Sequence, residues 1–219
     1  MSIHIGDVSV QYSGSEESVL HGIGLDIEPG TVTLICGASG SGKSSVLRLI
    51  NGLIPHFHTV EGTGTVTVDR HNVAETEVHQ MGTLTATVFQ NPRTQFFTTD
   101  VDSELAFAGE NYQLPPDTIR ARSAEALEYV GISDLAGRNL WGLSGGQLQK
   151  VACAQAYAQD TPILLFDEPT SNLDPESIEQ AQGTRKNPGD SGASRVFPRR
   201  HCGPRDPRGG RQDSPGIHW

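Results

Sequence analysis

A glycine-rich segment early in the chain has the residue types and spacing that bind phosphate. It follows the pattern G-x-x-x-x-G-K-[ST] between an apolar, β-rich run and a helical pattern, where such a loop must lie. Glycines let backbone N–H groups turn inward around an anion, and the following helix adds its positive end. We expect Lys43 to neutralise the β- and γ-phosphates and Ser44 to bind Mg²⁺. The motif alone indicates that the chain binds a nucleoside triphosphate, and it does not distinguish between the classes of protein that do so. Its members are Gly37, Ala38, Ser39, Gly40, Ser41, Gly42, Lys43 and Ser44.

An apolar strand pattern later in the chain ends in two adjacent carboxylates, Asp167 and Glu168. Because a buried strand is rigid, its end places these side chains at a fixed point on the carboxyl edge of a sheet. We expect Asp167 to hold Mg²⁺ through water, and Glu168 to orient and polarise the attacking water. Alone, the pair fits two solvated carboxylates equally well; the phosphate loop favours the catalytic interpretation.

A third segment, Leu143-Ser144-Gly145-Gly146-Gln147, predicts a second helix start that can bind an anion. Ser144 is a favoured N-cap residue, and Gly145 and Gly146 leave the backbone open to close approach. One nucleotide does not need two phosphate sites on one chain, whereas a dimer does if each subunit supplies half of each site. From physics alone, an ordinary capped helix remains the alternative.

The hydrophobic patterns around these segments predict an α/β fold. Residues 31–36 form the β-rich apolar run of a buried strand. Asp117 is expected to cap a helix that Gly131 ends. Other strands are predicted at 3–12, 19–27, 63–68, 83–90 and 162–166, and helices at 44–53, 117–130 and 146–159. A helical insertion over about residues 91–160 therefore interrupts the sheet.

The order of these segments resembles that of the ATP-binding cassette (ABC) transporter ATPases over about residues 3–180. Gly37 to Ser45 resembles the Walker A loop, and Leu143 to Gln147 resembles the signature motif. Asp167 and Glu168 resemble the Walker B aspartate and the catalytic glutamate. The other matches are Tyr12 with the aromatic that stacks on adenine, Gln90 with the Q-loop glutamine, and Ser171-Asn172-Leu173-Asp174 with the D-loop.

This resemblance implies a P-loop NTPase core with a RecA-like sheet, an N-terminal antiparallel β subdomain and an inserted α-helical subdomain. It implies that ATP and Mg²⁺ are the cofactors, that Ser44, Gln90 and Asp167 contact the metal, and that Lys43, Gln90 and Glu168 are catalytic. The signature residues Ser144, Gly145, Gly146 and Gln147 would then bind the ATP of the other subunit.

The resemblance also implies partners. Two cassettes, identical or paralogous, close head-to-tail on two ATP molecules, and closure moves a transmembrane subunit. The chain is then expected in the cytoplasm, peripheral on the inner face of the cell membrane. A finer similarity, carried by Gln90 to Val101, Glu104 to Phe107 and Asn51 to Pro55, is to the energy-coupling-factor importers of cobalt and vitamins. In it, Phe96-Phe97 is either subdomain core or an apolar patch for a coupling helix.

The chain departs from that family after about residue 182. Residues 183–219 contain seven Gly, five Pro and seven Arg with no periodic apolar face, a composition that cannot bury a core. We therefore expect an ATPase domain at 1–182 and a basic, disordered tail at 183–219, either an out-of-frame read-through or a genuine tail. His201 has the spacing of the family's switch histidine but lacks the apolar strand before it. If the end is not native, the sheet lacks a strand, and the chain binds ATP but hydrolyses it poorly.

Composition argues against several other classes. Residues 183–219 hold eight of the 16 Lys and Arg and three of the 26 Asp and Glu, so the rest is strongly acidic and disfavours nucleic acid as a partner. A cassette ATPase of DNA repair or translation would usually add a coiled-coil insertion or a second cassette. We expect no signal peptide and no membrane helix. Cys36 and Cys153 are expected to be buried hydrophobes.

Overall fold

The structure, a computed structural model, describes residues 1–168 and 194–198. Its first sheet is antiparallel and has the strand order β2-β1-β4-β5. The strands are β1 (Ile3–Tyr12), β2 (Leu20–Ile27), β4 (Val60–Val68) and β5 (His71–Asn72). Ile3 pairs with Ile27 on one side and with Val68 on the other. Along β1 the alternating apolar side chains are buried, so this sheet has one face in the core.

The second sheet has the order β3-β8-β7-β6. Its strands are β3 (Thr33–Ile35), β6 (Thr85–Val88), β7 (Ile163–Phe166) and β8 (Ser194–Pro198). β6 and β7 are parallel, and β8 is antiparallel to both β3 and β7. β3, β6 and β7 therefore run in the same direction, and their carboxyl ends meet at one edge. This edge is where ligands bind in open α/β sheets.

Strand β8 lies within the stretch for which the sequence predicts disorder. Its residue Val196 pairs with Thr33 of β3 and with Leu165 of β7. The strand thus occupies the place between β3 and β7, whose facing backbone groups require hydrogen-bond partners. The other residues of 183–219, including His201, and the segment Ser171–Asp174 lie outside the described residues.

Helices make up most of the chain between β6 and β7. This stretch contains α4 (Val101–Asn111), α5 (Pro116–Val130) and α6 (Gly145–Ala158), with 3₁₀ turns at Pro92–Thr94, Ser133–Leu135 and Leu140–Gly142. Three shorter helices precede β6: α1 (Lys43–Ile50), α2 (Leu53–His56) and α3 (Val78–Leu84). Helices α4 to α6 enclose a core of their own around Val101, Leu105 and Leu148. On α6, Ala152 and Ala156 pack with Ala86 and Val88 of β6 and so join these helices to the sheet.

The main core lies between the two sheets and α1. It combines buried residues of β1, β2 and β4 with Leu47 and Leu49 of α1 and with Ile163 and Leu165 of β7. The predicted α/β class, with an antiparallel β subdomain and inserted helices, is confirmed. Among the described residues, the structure has no helix both long and apolar enough to cross a bilayer.

Two local predictions are wrong. Asp117 does not cap α5, because the helix already begins at Pro116, and proline suits a first position where no N–H is needed. Asp117 instead lies in the first turn and pairs with Arg120. Gly131 does end this helix in a left-handed conformation, with φ of 70°.

The expectation of a buried strand at 31–36 is wrong for one face. Val32 and Leu34 are 63% and 40% exposed, and Cys36 on the same face is also exposed. Among the strands that the structure describes, β3 is at the edge of its sheet, and its residue Ile35, on the opposite face, packs against the main core. Cys153 differs, because burial raises the pKa of its thiol to about 12 and leaves it protonated at neutral pH.

Candidate active site

The last turn of the loop between β3 and α1 has a backbone conformation that favours glycine. Gly40 and Gly42 have φ of 80° and 87°, in the left-handed region. A Cβ on Gly42 would lie 2.6 Å from Leu20 Cδ2 and 2.9 Å from the Val19 carbonyl oxygen. The following helix α1 begins at Lys43. The predicted phosphate loop therefore joins a strand to a helix N-terminus, as anion binding requires.

Lys43 is held at the centre of this loop although it is a cation. Its side chain is 6% exposed, and Nζ donates to the carbonyl oxygens of Gly37 and Ala38 at 3.0 Å each. Nζ also lies 3.3 Å from Glu168 Oε1. The loop thus fixes the ammonium group by two carbonyls and one carboxylate, at the point where a terminal phosphate would need a positive charge.

Ser44 and Asp167 meet across the sheet edge. Ser44 Oγ donates to Asp167 Oδ1 at 2.9 Å, and the Asp167 backbone N–H donates to the Val88 carbonyl oxygen at 2.9 Å. A hydroxyl and a carboxylate are the hard oxygen ligands that Mg²⁺ prefers, usually beside phosphate oxygens and water. The described residues contain no cluster of three His, Cys, Asp or Glu that could hold a metal ion by themselves. The pair therefore fits an ion that arrives with a nucleotide.

Glu168 is the residue that brings the three strand ends together. Its Oε2 accepts from Gln90 Nε2 at 3.0 Å, while Oε1 pairs with Lys43. Its φ of 45° is left-handed, a conformation that costs a non-glycine residue roughly 1–2 kcal/mol. Such strain persists where surrounding contacts hold it. The structure thus places Lys43 after β3, Gln90 after β6 and Glu168 after β7 within one contact network.

Tyr12, which the resemblance assigns to adenine stacking, lies against the start of α1. Its hydroxyl is 3.0 Å from Ser45 Oγ and accepts from Arg48 Nη1 at 3.2 Å. The His58 ring packs edge-on against the Tyr12 ring, with centroids 5.8 Å apart. Partial burial, and then the charge of Arg48, lower the pKa of His58 from its usual 6.5. The adenine role of Tyr12 stays a prediction.

The second predicted anion site is at the start of α6. Ser144 is the N-cap, as predicted: its Oγ accepts from the Gln147 backbone N–H at 3.3 Å, and Gln147 Oε1 accepts from the Ser144 N–H at 2.9 Å. This reciprocal pair is a capping box. A cavity of about 240 Å³ opens here, lined by Ser144, Gly146, Gln147 and Lys150 among others. Within the part of the chain that the structure describes, Ser144 and Gln147 bond to each other and not to the phosphate loop.

Sequence patterns missed a set of buried polar side chains beside this site. Gln95, Glu104 and Gln155 are 8%, 0% and 4% exposed and hydrogen-bond to one another in a row. The signal in the sequence is faint: Glu104 interrupts the apolar face of α4 between Val101 and Leu105, and Gln155 interrupts the small apolar face of α6. Nothing in the spacing says that these three residues meet.

Comparison with sequence families gives a match over most of the chain. The sequence model of the family described as "ABC transporter" matches residues 20–171. A protein of Treponema denticola, named as an ABC transporter ATP-binding protein, is 44% identical over 178 residues, which are 81% of this chain and 36% of that protein. One of Pyrococcus horikoshii with the same kind of name is 40% identical over 184 residues, 84% of this chain and 65% of that protein. The chain spans about a third of the length of the first curated relatives it matches.

Solved structures have the same fold. The cbiO1 protein of Clostridium perfringens, described as part of the ABC transporter complex cbiONQ, is 30% identical with a TM-score of 0.71, over 83% of this chain and 70% of that chain. The ATP-binding cassette MJ0796, solved as a dimer in a post-hydrolysis state with ADP and Pi, is 27% identical with a TM-score of 0.72, over 83% of this chain and 80% of that chain.

Proposed function

Because this chain belongs to the ABC transporter family of ATP-binding domains, we propose that it binds and hydrolyses ATP to power a membrane transporter. The observation that carries the proposal is the convergence of three strand ends on one network: Lys43 with Glu168, Glu168 with Gln90, and Ser44 with Asp167. A phosphate loop alone would support nucleotide binding. The added carboxylate and amide supply what hydrolysis needs beside it.

The residues present fit MgATP. The loop of Gly37 to Ser44 would offer backbone N–H groups, the N-terminus of α1 and the Lys43 ammonium to the phosphates, and Ser44, Asp167 and Gln90 are the groups that would hold Mg²⁺. When bound, Mg²⁺ neutralises the charge that develops on the phosphate oxygens. Tyr12 lies beside α1, where it would stack on the base.

The contacts of Glu168 suggest how the site changes on binding. Lys43 is now paired with Glu168, and a phosphate at the loop competes with that carboxylate for the same ammonium. Once Lys43 pairs with the phosphate instead, the Glu168 carboxylate can accept the proton of the water that attacks the γ-phosphate. Gln90, which donates to Glu168, then orients the same carboxylate and the water beside it.

A complete site requires a second cassette. The start of α6 presents Ser144, Gly145 and Gly146 as a separate candidate anion site, in which Ser144 and Gln147 hydrogen-bond to each other and, among the described residues, not to the phosphate loop. Two chains in head-to-tail contact would each supply this helix start to the ATP of the other. The dimeric MJ0796 structure with ADP and Pi supports such an arrangement.

The membrane partner is inferred from an apolar surface and from one relative. Phe97 is 75% exposed, and its ring stacks on that of the half-buried Phe107 at 5.0 Å, so one aromatic ring stands out from the helical part on a second ring beneath it. We assign this pair to contact with a transmembrane subunit at the inner face of the membrane. The resemblance of Gln90 to Val101 to the energy-coupling-factor importers favours an importer for cobalt or a vitamin, and the similarity to cbiO1, part of the ABC transporter complex cbiONQ, supports a transporter subunit.

A cassette that binds ATP but hydrolyses it poorly is the second candidate. It is favoured by the composition of residues 183–219, whose seven Gly, five Pro and seven Arg give no periodic apolar face around His201. In this case the loop, Ser44 and Asp167 bind the nucleotide, and the chain supplies no switch histidine.

ATP turnover of the purified chain and of its Glu168→Gln variant tests the proposal. We expect the variant to lose about 10²–10⁴-fold in turnover while its affinity for ATP is unchanged. Glu128→Gln, an exposed change on α5, is the matched control and should leave turnover as it is. Equal and negligible turnover with intact ATP binding would establish the second candidate. Failure of the folded chain to bind ATP would overturn both.

Purification from membranes tests the partner. We expect the tagged chain to co-purify with a membrane protein, and Phe97→Ser to abolish this without changing ATP affinity. Co-purification with ribosomes or DNA instead would contradict the transporter assignment.

A further inference from the structure

A buried carboxylate anchors the exposed Phe97 loop from within. Glu104, on α4, is 0% exposed. Its Oε2 accepts from the backbone N–H groups of Phe97 at 3.0 Å and Thr98 at 2.8 Å, and from Thr98 Oγ1 at 2.8 Å. A single oxygen with three donors holds the backbone that presents the Phe97 ring to solvent.

The other oxygen of Glu104 starts a row of hydrogen bonds that ends beside the active site. Oε1 accepts from Gln155 Nε2 at 2.7 Å, and Gln155 Oε1 accepts from Gln95 Nε2 at 2.7 Å. Gln95 Oε1 in turn accepts from the Phe89 backbone N–H at 3.0 Å. Phe89 immediately precedes Gln90. The row thus connects α4 and α6 with Gln95, which follows the 3₁₀ turn Pro92–Thr94, and with Phe89, which follows β6.

The carboxylate fixes the direction of this row. An ionised carboxylate only accepts, so Gln155 must turn its NH₂ toward Glu104 and its oxygen toward Gln95. Gln95 must then donate to Gln155 and accept from the Phe89 N–H. If Oε1 of residue 104 became a donor, both amides would have to flip. Gln95 would then turn its NH₂ toward the Phe89 N–H, and two donors would face each other in a buried place.

We propose that Glu104 is a positioning residue for Gln90, acting through Gln155 and Gln95, and that it ties the position of Gln90 to that of the Phe97 loop. The inference rests on the proposed function, because Gln90 matters only in a chain that uses MgATP. A partner that displaces Phe97 pulls on the two N–H groups that Glu104 holds. Through Gln155 and Gln95, the same carboxylate also sets which group accepts the hydrogen bond of the Phe89 N–H, next to Gln90. A displacement of the Phe97 loop therefore changes the position of Gln90.

Amide hydrogen exchange of Glu104→Gln tests the inference, and it does so without requiring turnover. The variant keeps the size of residue 104, yet its NH₂ replaces one acceptor oxygen. With its oxygen kept toward Phe97 and Thr98, we expect exchange of the Phe89 amide to rise about tenfold, the effect of one lost hydrogen bond, although residue 104 does not touch Phe89. Glu110→Gln, an exposed change on the same helix, is the control and should leave Phe89 unchanged. Faster exchange at Phe97 and Thr98 alone, with Phe89 unchanged, would overturn the proposal.

A second variant covers the case in which Glu104→Gln fails to fold. Gln155→Met removes the middle link with a side chain of similar length, and again we expect about tenfold faster exchange at Phe89. Where the chain hydrolyses ATP, Gln155→Met should lower kcat with little change in KM, and this loss should vanish in a Gln90→Ala background. An equal loss in both backgrounds would show that Gln155 acts only by stabilising the fold. Absence of turnover in the unaltered chain would count against the proposed function, while the exchange result would still decide this inference.

Discussion

Backbone geometry limits which residue types the predicted phosphate loop can hold, and a substitution at Gly42 tests this most directly. Gly42→Ala combines a left-handed φ of 87° with a Cβ 2.9 Å from the Val19 oxygen and 2.6 Å from Leu20. We expect the free energy of unfolding to fall by about 2–4 kcal/mol, measured by denaturant titration without nucleotide. Gly40→Ala is the matched control: its φ is 80° but its Cβ would meet open space, so the loss should be about 1–2 kcal/mol. Equal losses in the two variants would mean that the contact with β2 does not constrain the loop.

The charge state of His58 is a second residue-scale prediction. Partial burial and the nearby Arg48 lower its pKa below 6.5 in the folded chain, so the unfolded chain takes up a proton first as pH falls. This histidine therefore reduces stability as the pH drops below about 6.5, and has no such effect above it. NMR titration of the imidazole should give a pKa below 6.5, and Arg48→Gln should raise it while Arg48→Lys should not. A pKa at or above 6.5 in the unaltered chain would contradict the packing against Tyr12 and Arg48.

At the scale of elements, the sequence predicts best where local chemistry and hydrophobic pattern agree. Strand β1 was predicted at its observed bounds, because its alternating residues face one core. Helix α6 was predicted within one residue at each end, because Ser144 is both a strong N-cap and half of a capping box. The site residues follow from the same agreement, since Lys43 begins the helix after a recognisable strand and glycine-rich loop, and Asp167 and Glu168 come after a second recognisable strand.

Elements whose limits depend on tertiary contacts could not be predicted. The sequence pattern continues as a strand over 83–90, yet α3 extends to Leu84, and β6 begins only where pairing with Ile163 starts. The apolar residues on the outward face of β3 predict that Leu34 is buried, yet it is 40% exposed, because the sequence does not show whether another element covers that face. The row from Glu104 to Gln95 joins residues up to 60 positions apart, a separation at which no periodicity gives information.

We propose that the start of α6 has two roles, a helix cap and an anion site, which mutation can separate. Ser144→Ala removes the cap of α6 and should cost about 1 kcal/mol in the free energy of unfolding. It should also weaken ATP-dependent association of two chains, because Ser144 would face the nucleotide of the partner subunit. Asp100→Ala removes the equivalent cap of α4, where Asp100 Oδ1 accepts from the Ser103 N–H at 2.9 Å, and serves as control. We expect the same loss of stability there with association intact. If both variants associate equally well, the N-terminus of α6 is an ordinary capped helix.

At the scale of the whole molecule, the arrangement of the core sheet sets what the chain can do. β3, β6 and β7 run in the same direction and bring Lys43, Gln90 and Glu168 to one edge, so the proposed catalytic groups depend on the correct distance between β3 and β7. Strand β8, from the Gly- and Arg-rich region, lies between β3 and β7 and pairs with both. The sequence pattern does not predict β8. Its hydrogen bonds to β3 and β7 are made by main-chain groups, which every residue except proline carries in full, so side-chain type gives little information about this pairing.

The proposal that two helix starts on one chain bind anions leads to a prediction about assembly. The Glu168→Gln variant should bind ATP without consuming it, and should therefore accumulate as a dimer whose mass in sedimentation is twice that of the nucleotide-free chain. Trp141, 78% exposed and two residues before Leu143, lies next to the α6 start that would meet the partner. In a Trp219→Phe background its fluorescence should shift to shorter wavelength with ATP, and the shift should saturate with dimer formation, because closure removes the ring from water. A chain that binds ATP yet stays monomeric, with Trp141 unchanged, would show that each cassette works alone. The anion site at Ser144 would then need a ligand other than the ATP of a second copy.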